Sequence, residues 1–156
     1  MRVRVIAVGT RMPSWVGETF AEYARRLPGT LKVVLREVAA GPRAGARTGT
    51  QAIEIEGARV LAELRGGDFV IALDEHGREL STRELASWLG ARMHDGRDLS
   101  FVIGGPDGLA PGVLERSDFT WALSRLTLPH ALVRVVLAEQ LYRAHTVLMG
   151  HPYHRE

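Results

Sequence analysis

The stretch "FVIGGPDGLAP", Phe101 to Pro111, joins an apolar run to a turn that contains three glycines and two prolines. A short apolar run that stops at glycine and proline is typical of a buried strand followed by a tight turn. Glycine permits positive φ angles and lets a ligand approach the main chain closely. The turn is neither a phosphate loop ending in Gly-Lys-Ser/Thr nor a GxGxxG dinucleotide turn. It therefore indicates a ligand of another kind, or only a tight connection.

Strand-like and helix-like segments alternate on both sides of this stretch. The predicted strands are Arg2–Val8, Leu31–Val38, Asp68–Asp74, Leu99–Ile103 and Phe119–Leu123. Four helices are predicted at Trp15–Leu27, Ile53–Leu64, Pro111–Arg116 and Leu132–Leu148. A fifth begins at a capping box of Ser81 and Glu84 and runs to about Met93. Such alternation, with mostly continuous apolar strands, predicts an α/β fold with a mostly parallel sheet and flanking helices. Because there is no internal repeat or linker, we expect one domain over residues 1–156.

The composition excludes several classes of protein. Of the 156 residues, 46% are hydrophobic and 24% are charged, which is ordinary for a globular domain. The chain has no cysteine, so it has neither a disulfide framework nor a thiolate site. The first residues, "MRVRVIAVGT", alternate charged and apolar side chains as a strand does, unlike a secretory signal. No apolar run is long enough to span a membrane. We therefore predict a cytoplasmic protein without a membrane partner.

The charge is distributed unevenly along the chain. Residues 1–66 carry eleven Lys and Arg against six Asp and Glu, whereas residues 67–156 carry nine against twelve. Nineteen of the twenty basic residues are arginine, which suits bidentate contacts to phosphate. A solvated basic surface explains the same distribution. The composition alone therefore leaves both interpretations open.

Three segments combine turn residues with polar side chains: "LDEHG" (Leu73–Gly77), "IGGPDGL" (Ile103–Leu109) and the run from Leu123 to Ala144. The first two follow predicted buried strands, and the third follows the last strand. In open α/β sheets, ligands bind beyond the carboxyl ends of the strands. Each segment alone could be a plain connection, but together they predict one crevice.

The residues of this crevice favour one kind of ligand. The glycine turn carries no Lys or Arg, and Pro106 removes an amide that a phosphate cradle would use. Peptide groups flanked by Leu and Ile suit a flat, neutral ring, because main-chain N–H and C=O groups can form hydrogen bonds with its polar edge. The stretch "ALSRLTLPH" supplies peptide groups of this kind. S-adenosylmethionine contains adenine and no phosphate. NAD and ATP would require phosphate ligands that this stretch lacks.

Four motifs carry a specific resemblance: "LTLPHALVRVVLAEQLYRA", the terminal "HPYHRE", "IGGPDGL" and "AVGTRMPSWV". Over essentially the whole chain they resemble the large-subunit rRNA methyltransferase H family, small SPOUT-class enzymes that methylate N3 of a pseudouridine in 23S rRNA. The resemblance implies a C-terminal deep trefoil knot, a homodimer, and S-adenosylmethionine as cofactor without a metal. It implies 23S rRNA, in the large subunit or the assembled ribosome, as substrate.

The resemblance also assigns residues. It places cofactor binding on Leu73, Gly104, Leu123, Ser124, Arg125, Leu126, Thr127 and Leu128. It places catalysis on His130 and on the tail residues Tyr153, His154 and Arg155, in the segment His151–Glu156. We expect His130 or His154 to accept the N3 proton and Arg155 to stabilise the negative charge that develops, because a weakly acidic imide must be deprotonated to react. The sequence does not rank the two histidines, and His151 with His154 forms only a weak zinc motif.

The contacts to RNA are less well defined by the sequence. We expect phosphate contacts from five arginines of the basic half: Arg11, Arg25, Arg26, Arg43 and Arg47. The loop at residues 39–50 departs from the family, whose members are more basic and rich in lysine there.

Two other functions compete with the methyltransferase. A non-catalytic ribosome-binding or RNA-binding module would explain the basic half and the tail, but not the glycine-rich crevice. A nucleotide-dependent enzyme, such as a small kinase or dehydrogenase, would need phosphate-binding motifs that the chain lacks.

Overall fold

Five strands alternate with five α-helices in the computed structural model, which describes residues 1–43 and 49–155. The strands are β1 (Arg2–Val8), β2 (Lys32–Val38), β3 (Phe69–Glu79), β4 (Leu99–Ile103) and β5 (Phe119–Ala122). The helices are α1 (Ser14–Arg26), α2 (Gly49–Glu63), α3 (Thr82–Asp95), α4 (Pro111–Arg116) and α5 (His130–Met149), with 3-10 turns at Gly29–Leu31 and Pro152–His154. Arg47, one of the predicted RNA contacts, and the terminal Glu156 lie outside the described residues.

All the strand pairs are parallel, in the order β2-β1-β4-β3-β5. This confirms the predicted parallel α/β sheet. The strands β1 and β4 lie inside the sheet and are buried over nearly their whole length. Helices cover both faces of a parallel sheet, which is why these strands read as continuous apolar runs.

Each face of the sheet packs a separate apolar core. Val3, Val5 and Phe101 face one side, where they meet α1, α3 and α5. Ile6 and Val102 face the other side, under α2 and α4. Successive residues of a strand point to opposite faces, so a continuous apolar strand supplies both cores.

The helix α3 begins where the capping box predicts. The Ser81 Oγ accepts a hydrogen bond from the Glu84 amide at 3.1 Å, and the Glu84 carboxylate accepts one from the Ser81 amide at 2.7 Å. The two bonds satisfy amides that the first turn of a helix leaves without partners. The pattern of Ser and Glu three residues apart was therefore sufficient to locate this helix start.

The strand β3 is longer than the sequence indicates, and the prediction that Leu73–Gly77 follows its end is wrong. The strand continues to Glu79, and both Leu73 and Arg78 pair with Trp121 of β5, so the intervening residues form a bulge. A Cβ at Gly77 would lie 2.7 Å from the backbone of Thr120, which explains the glycine. Polar residues indicate a turn locally, but pairing with β5 keeps them in the strand.

The chain crosses the sheet between β5 and α5. The strand β5 lies at one edge of the sheet, whereas α5 packs against α1 and α3 and contacts the carboxyl end of β1 through Arg134. Residues 123–129 therefore pass over the ends of β3 and β4. Among the described residues, no helix is long and apolar enough to cross a bilayer.

A buried ion pair connects strands of the sheet. The Asp68 carboxylate, 3% exposed, accepts hydrogen bonds from the Arg4 guanidinium of β1 and from Ser100 Oγ of β4, the latter at 2.6 Å. Arg4 also donates to the Glu63 carbonyl at 2.9 Å. Neither buried charge is hydrated, so each is stabilised by the other. The pair therefore links β1, β4 and the start of β3.

Removing one partner of this pair should destabilise the fold strongly. Arg4→Met leaves the Asp68 carboxylate buried without its cation, and we expect the free energy of unfolding to fall by about 3–5 kcal/mol. Arg4→Met combined with Asp68→Asn should recover part of that loss, because the amide still accepts the Ser100 hydrogen bond. Urea unfolding at one fixed protein concentration measures both variants, and equal stability of Arg4→Met and the unchanged protein would contradict the prediction.

Candidate cofactor cleft and C-terminal tail

A cleft of about 710 Å³ opens beside the bulge of β3 and at the carboxyl ends of β4 and β5. Its walls are the β3 bulge from Leu73 to His76, the turn from Ile103 to Leu109, and residues 123–130 without Arg125. Trp121 and Val133 complete the lining. The three segments that the sequence predicts to converge therefore do line one cleft.

The turn between β4 and α4 is closed by a hydrogen bond between two of its own backbone groups. The Gly108 amide donates to the Gly105 carbonyl at 3.1 Å, and Gly108 has a φ of +85°. A Cβ at Gly104 would lie 2.6 Å from the carbonyl carbon of Gly108, closer than real Cβ contacts. Glycine at 104 thus allows two backbone segments to touch and leaves main chain, not side chain, on the cleft wall.

Seven of the eight predicted cofactor residues line the cleft: Leu73, Gly104, Leu123, Ser124, Leu126, Thr127 and Leu128. Ser124 Oγ accepts a hydrogen bond from the Leu126 amide at 2.9 Å, and Thr127 Oγ1 donates to the Glu75 carboxylate at 3.4 Å. These bonds connect the run after β5 within itself and to the β3 bulge. Arg125 does not line the cleft. Its side chain is 88% exposed, with Nε 3.9 Å from a Glu79 carboxylate oxygen.

The charged side chains on the cleft walls are acidic. Asp74, Glu75 and Asp107 line the cleft, and no Lys or Arg is among the described residues that do. A phosphate would meet the carboxylates of Asp74 and Glu75 here. The walls therefore suit a neutral ring or a positively charged group.

The first turn of α5 is anchored by a buried guanidinium. Arg134 is 1% exposed, and its Nη1 pairs with the Glu37 carboxylate of β2 at 2.5 Å. Its Nη2 donates to the carbonyls of Val8 and Gly9, at 3.2 and 2.8 Å. The sequence interpretation missed this role, although an arginine within the apolar run "ALVRVVLA" was a signal of a buried polar anchor.

His130 is the one predicted catalytic residue at the cleft. It occupies the first position of α5, directly after Pro129, and is partly buried. Burial lowers the pKa of its imidazole, and the positive charge of Arg134 one turn later lowers it further. The ring is therefore held in the neutral form, which can accept a proton.

The tail folds back on the middle of α5. The Tyr153 hydroxyl donates to the Glu139 carboxylate at 3.1 Å, and its ring meets Tyr142 edge to face at 4.5 Å. Glu139 lies nine residues after His130, which is about 14 Å along the helix axis. Neither Tyr153, His154 nor Arg155 lines the cleft of its own chain. The structure therefore does not bring the predicted catalytic residues together within one chain.

The tail residues differ in how they are held. Burial raises the pKa of the Tyr153 hydroxyl to about 12, with hydrogen bonds to Tyr23 and Glu139 adding to the effect, so this group stays protonated at neutral pH. The Nδ1 atom of His154 is buried without a hydrogen-bond partner among the described residues. Arg155 is exposed.

Several predicted RNA contacts already have acidic partners. Arg25 and Arg26 both pair with Glu22 on the surface of α1. Arg43 pairs with Glu56 and Asp107, at 2.9 and 2.7 Å, which argues against its use as a phosphate contact. Arg11 is exposed. Within residues 1–43 and 49–155, no cluster of three or more metal-ligating side chains is present.

The comparison with known proteins gives a full-length match. Residues 1–154 match the family model described as a predicted SPOUT methyltransferase. The chain is 51% identical over 156 residues to "Ribosomal RNA large subunit methyltransferase H" of Thioalkalivibrio sulfidiphilus, covering 100% of both chains. It is 48% identical over 156 residues to the protein of that name in Thiobacillus denitrificans, again covering 100% of both.

Solved structures show the same fold at low sequence identity. A probable methylase family protein from Haemophilus influenzae matches with a TM-score of 0.57 and 14% identity, over 99% of this chain and 70% of that one. A probable methyltransferase from Bordetella pertussis matches with a TM-score of 0.56 and 18% identity, over 91% of this chain and 95% of that one. The full-length matches in sequence, together with the converging cleft, show that this chain belongs to the SPOUT methyltransferases, in the family of ribosomal RNA large subunit methyltransferase H.

Proposed function

We propose that this protein transfers a methyl group from S-adenosylmethionine to N3 of a pseudouridine in 23S rRNA, on the large subunit or the assembled ribosome in the cytoplasm. One domain over residues 1–156 performs the reaction. The observation that carries the proposal is the cleft, in which bare glycine backbone, apolar side chains and carboxylates meet, with no Lys or Arg among the described lining residues. Full-length relatives named as large-subunit rRNA methyltransferases support the choice of substrate.

The cleft residues fit this cofactor. The close approach of Gly104 to Gly108 leaves main chain at the wall, where peptide groups can read the edge of an adenine. Leu73, Leu123 and Leu128 supply apolar surface for its ring. Asp74 and Glu75 favour a positively charged ligand over a phosphate. When bound, S-adenosylmethionine supplies a methyl group on a positively charged sulfur.

Residues of the chain then accept the proton of the base and stabilise the negative charge that develops on it. The pseudouridine N3–H must lose its proton to become nucleophilic, and an imidazole nitrogen of His130 or His154 accepts it. The lowered pKa of His130 keeps that ring neutral at physiological pH. The exposed Arg155 guanidinium stabilises the negative charge that develops on the base. Tyr153 stays protonated and offers a ring on which an extruded base can stack.

A second copy of the chain would bring these residues together. Because the tail packs against the middle of α5 and does not line its own cleft, we propose a homodimer in which each tail completes the partner's cleft. Exposed apolar side chains at the start and end of α5 support a buried interface there, namely Leu132, Leu148 and Met149. The expected particle in sedimentation has about twice the mass of the 17.2 kDa chain.

We further propose that the C-terminal part of the chain is threaded as a trefoil knot. The passage of residues 123–129 from the edge strand β5 over β3 and β4 supports this. Such threading would place the glycine turn and the run after β5 around one crevice, and family membership agrees with it.

Two measurements test the proposed function. Titration calorimetry should show binding of S-adenosylmethionine and none of ATP, and tritiated methyl transfer should label large subunits or whole ribosomes. Mapping should then place the label on one pseudouridine of 23S rRNA. If the protein binds ribosomes but neither small molecule, the non-catalytic RNA-binding module is the correct interpretation.

The glycine turn gives a sharp prediction. Gly104→Ala forces the Gly108 backbone to move, so we expect at least about tenfold weaker cofactor binding by calorimetry. The free energy of unfolding should fall by about 1–3 kcal/mol. Gly66→Ala is the matched control, since no atom lies within 4 Å of the added Cβ. Equal affinity in the two variants would contradict this role of the turn.

Truncation of the tail tests whether the tail takes part in catalysis. Removal of residues 151–156 should abolish methyl transfer while the fold, measured by circular dichroism, is kept, because the tail lies outside the cleft of its own chain. Full activity of the shortened chain would exclude a catalytic tail.

Mixed dimers test whether the tail acts on the partner. A dimer of one shortened chain and one Gly104→Ala chain has an intact cleft only on the first chain and an intact tail only on the second. If the tail completes the partner's cleft, this dimer regains up to half the activity of the unchanged dimer. Inactive mixed dimers would show that cleft and tail must belong to one chain.

A further inference from the structure

A group of three charged side chains ties the glycine turn to helix α2. Arg43, after β2, lies between Glu56 of α2 and Asp107 of the turn. Its Nη1 and Nη2 donate to the two carboxylate oxygens of Glu56, at 2.9 and 3.1 Å, and its Nε donates to Asp107 at 2.7 Å. One guanidinium thus makes a bidentate pair with one acid and a single bond with another.

The Glu56 end of this group is buried and fixed. Glu56 is 2% exposed, and one of its oxygens also accepts a hydrogen bond from the Gly41 amide at 3.0 Å. A buried carboxylate needs its cation, because water cannot hydrate it. Burial and the bidentate bond therefore fix the position and orientation of the Arg43 guanidinium.

The Asp107 end lies on the cleft. Asp107 lines it, whereas neither Arg43 nor Glu56 does. Asp107 also sits between Gly105 and Gly108, whose backbones close the turn. The side chain of Asp107 is 44% exposed, so its position depends on the bond from Arg43 more than on packing.

We propose that Arg43 is a positioning residue for the cofactor, holding Asp107 and with it the turn from Gly104 to Gly108 in the shape that receives S-adenosylmethionine. This rests on the proposed function. Arg43 also neutralises Asp107, which would otherwise add an unpaired charge to the cleft wall. The planar fork of arginine is required, because a lysine ammonium cannot pair with two acids in this fixed geometry.

Two single variants and their combination test the proposal. Arg43→Lys keeps a cation for the buried Glu56 but loses the fork, and Asp107→Ala removes the other end of the link. Each should weaken S-adenosylmethionine binding on the order of tenfold in calorimetry. Because both remove the same link, the double variant should bind no more weakly than either single one.

Controls separate this role from general stability. Glu115→Ala removes an exposed carboxylate of α4, next along the chain, and should leave the affinity unchanged. Thermal unfolding without cofactor identifies a temperature at which all variants are folded, and affinities are compared there. In turnover, the KM for the cofactor should rise in Arg43→Lys while kcat at saturating cofactor is kept.

Three results would overturn the proposal: an unchanged affinity in Asp107→Ala, an unchanged affinity in Arg43→Lys, or an additive loss of about a hundredfold in the double variant. Failure of the unchanged protein to bind S-adenosylmethionine at all is a different result, which refutes the proposed function. The two failures are therefore distinguishable in one set of titrations.

Discussion

The buried guanidinium of Arg134 holds together the parts of the protein that the cleft requires. It joins the first turn of α5 to the carboxyl ends of β1 and β2 through Glu37 and two backbone carbonyls. A guanidinium with 1% exposure is not hydrated, so its charge and its N–H groups must be satisfied by these partners. The start of α5 is therefore fixed relative to the sheet, and the run of residues 123–129 is held between that point and β5. His130, one turn earlier, is positioned by the same anchor, and its pKa is lowered by burial and further by the charge of Arg134.

The distribution of charge separates two kinds of recognition. The cleft walls carry carboxylates and bare peptide groups, whereas the basic residues concentrate in residues 1–66. In the proposed function, arginines on the outside attract an RNA substrate, and the acids disfavour phosphate inside the cleft. Asp107 is the exception among the cleft acids, because Arg43 compensates its charge and holds its position. Arginines in this protein therefore serve structure as well as surface charge, as Arg4, Arg43 and Arg134 illustrate.

The long helix α5 divides the proposed chemistry between its two ends. The cleft and His130 lie at its beginning, and Tyr153 packs against its second half. A helix is stiff, so a tail packed against Glu139 is held about 14 Å along the axis from His130 of the same chain. The exposed apolar side chains at both ends of α5 offer a surface on which a second copy can pack. Two copies related by symmetry would each supply what the other lacks.

Local patterns in the sequence were sufficient for the elements and the fold class. Apolar periodicity located all five strands and helices, the capping box located α3, and strand ends with glycine located the cleft, because these signals depend on near neighbours. The sequence did not show the bulge in β3, the burial of Arg134, or the link from Glu56 through Arg43 to Asp107. Those contacts join residues up to 126 positions apart, as between Arg134 and Val8, and depend on which strands become neighbours. Periodicity reports whether a side chain is buried, and only the tertiary structure decides which buried or charged groups meet.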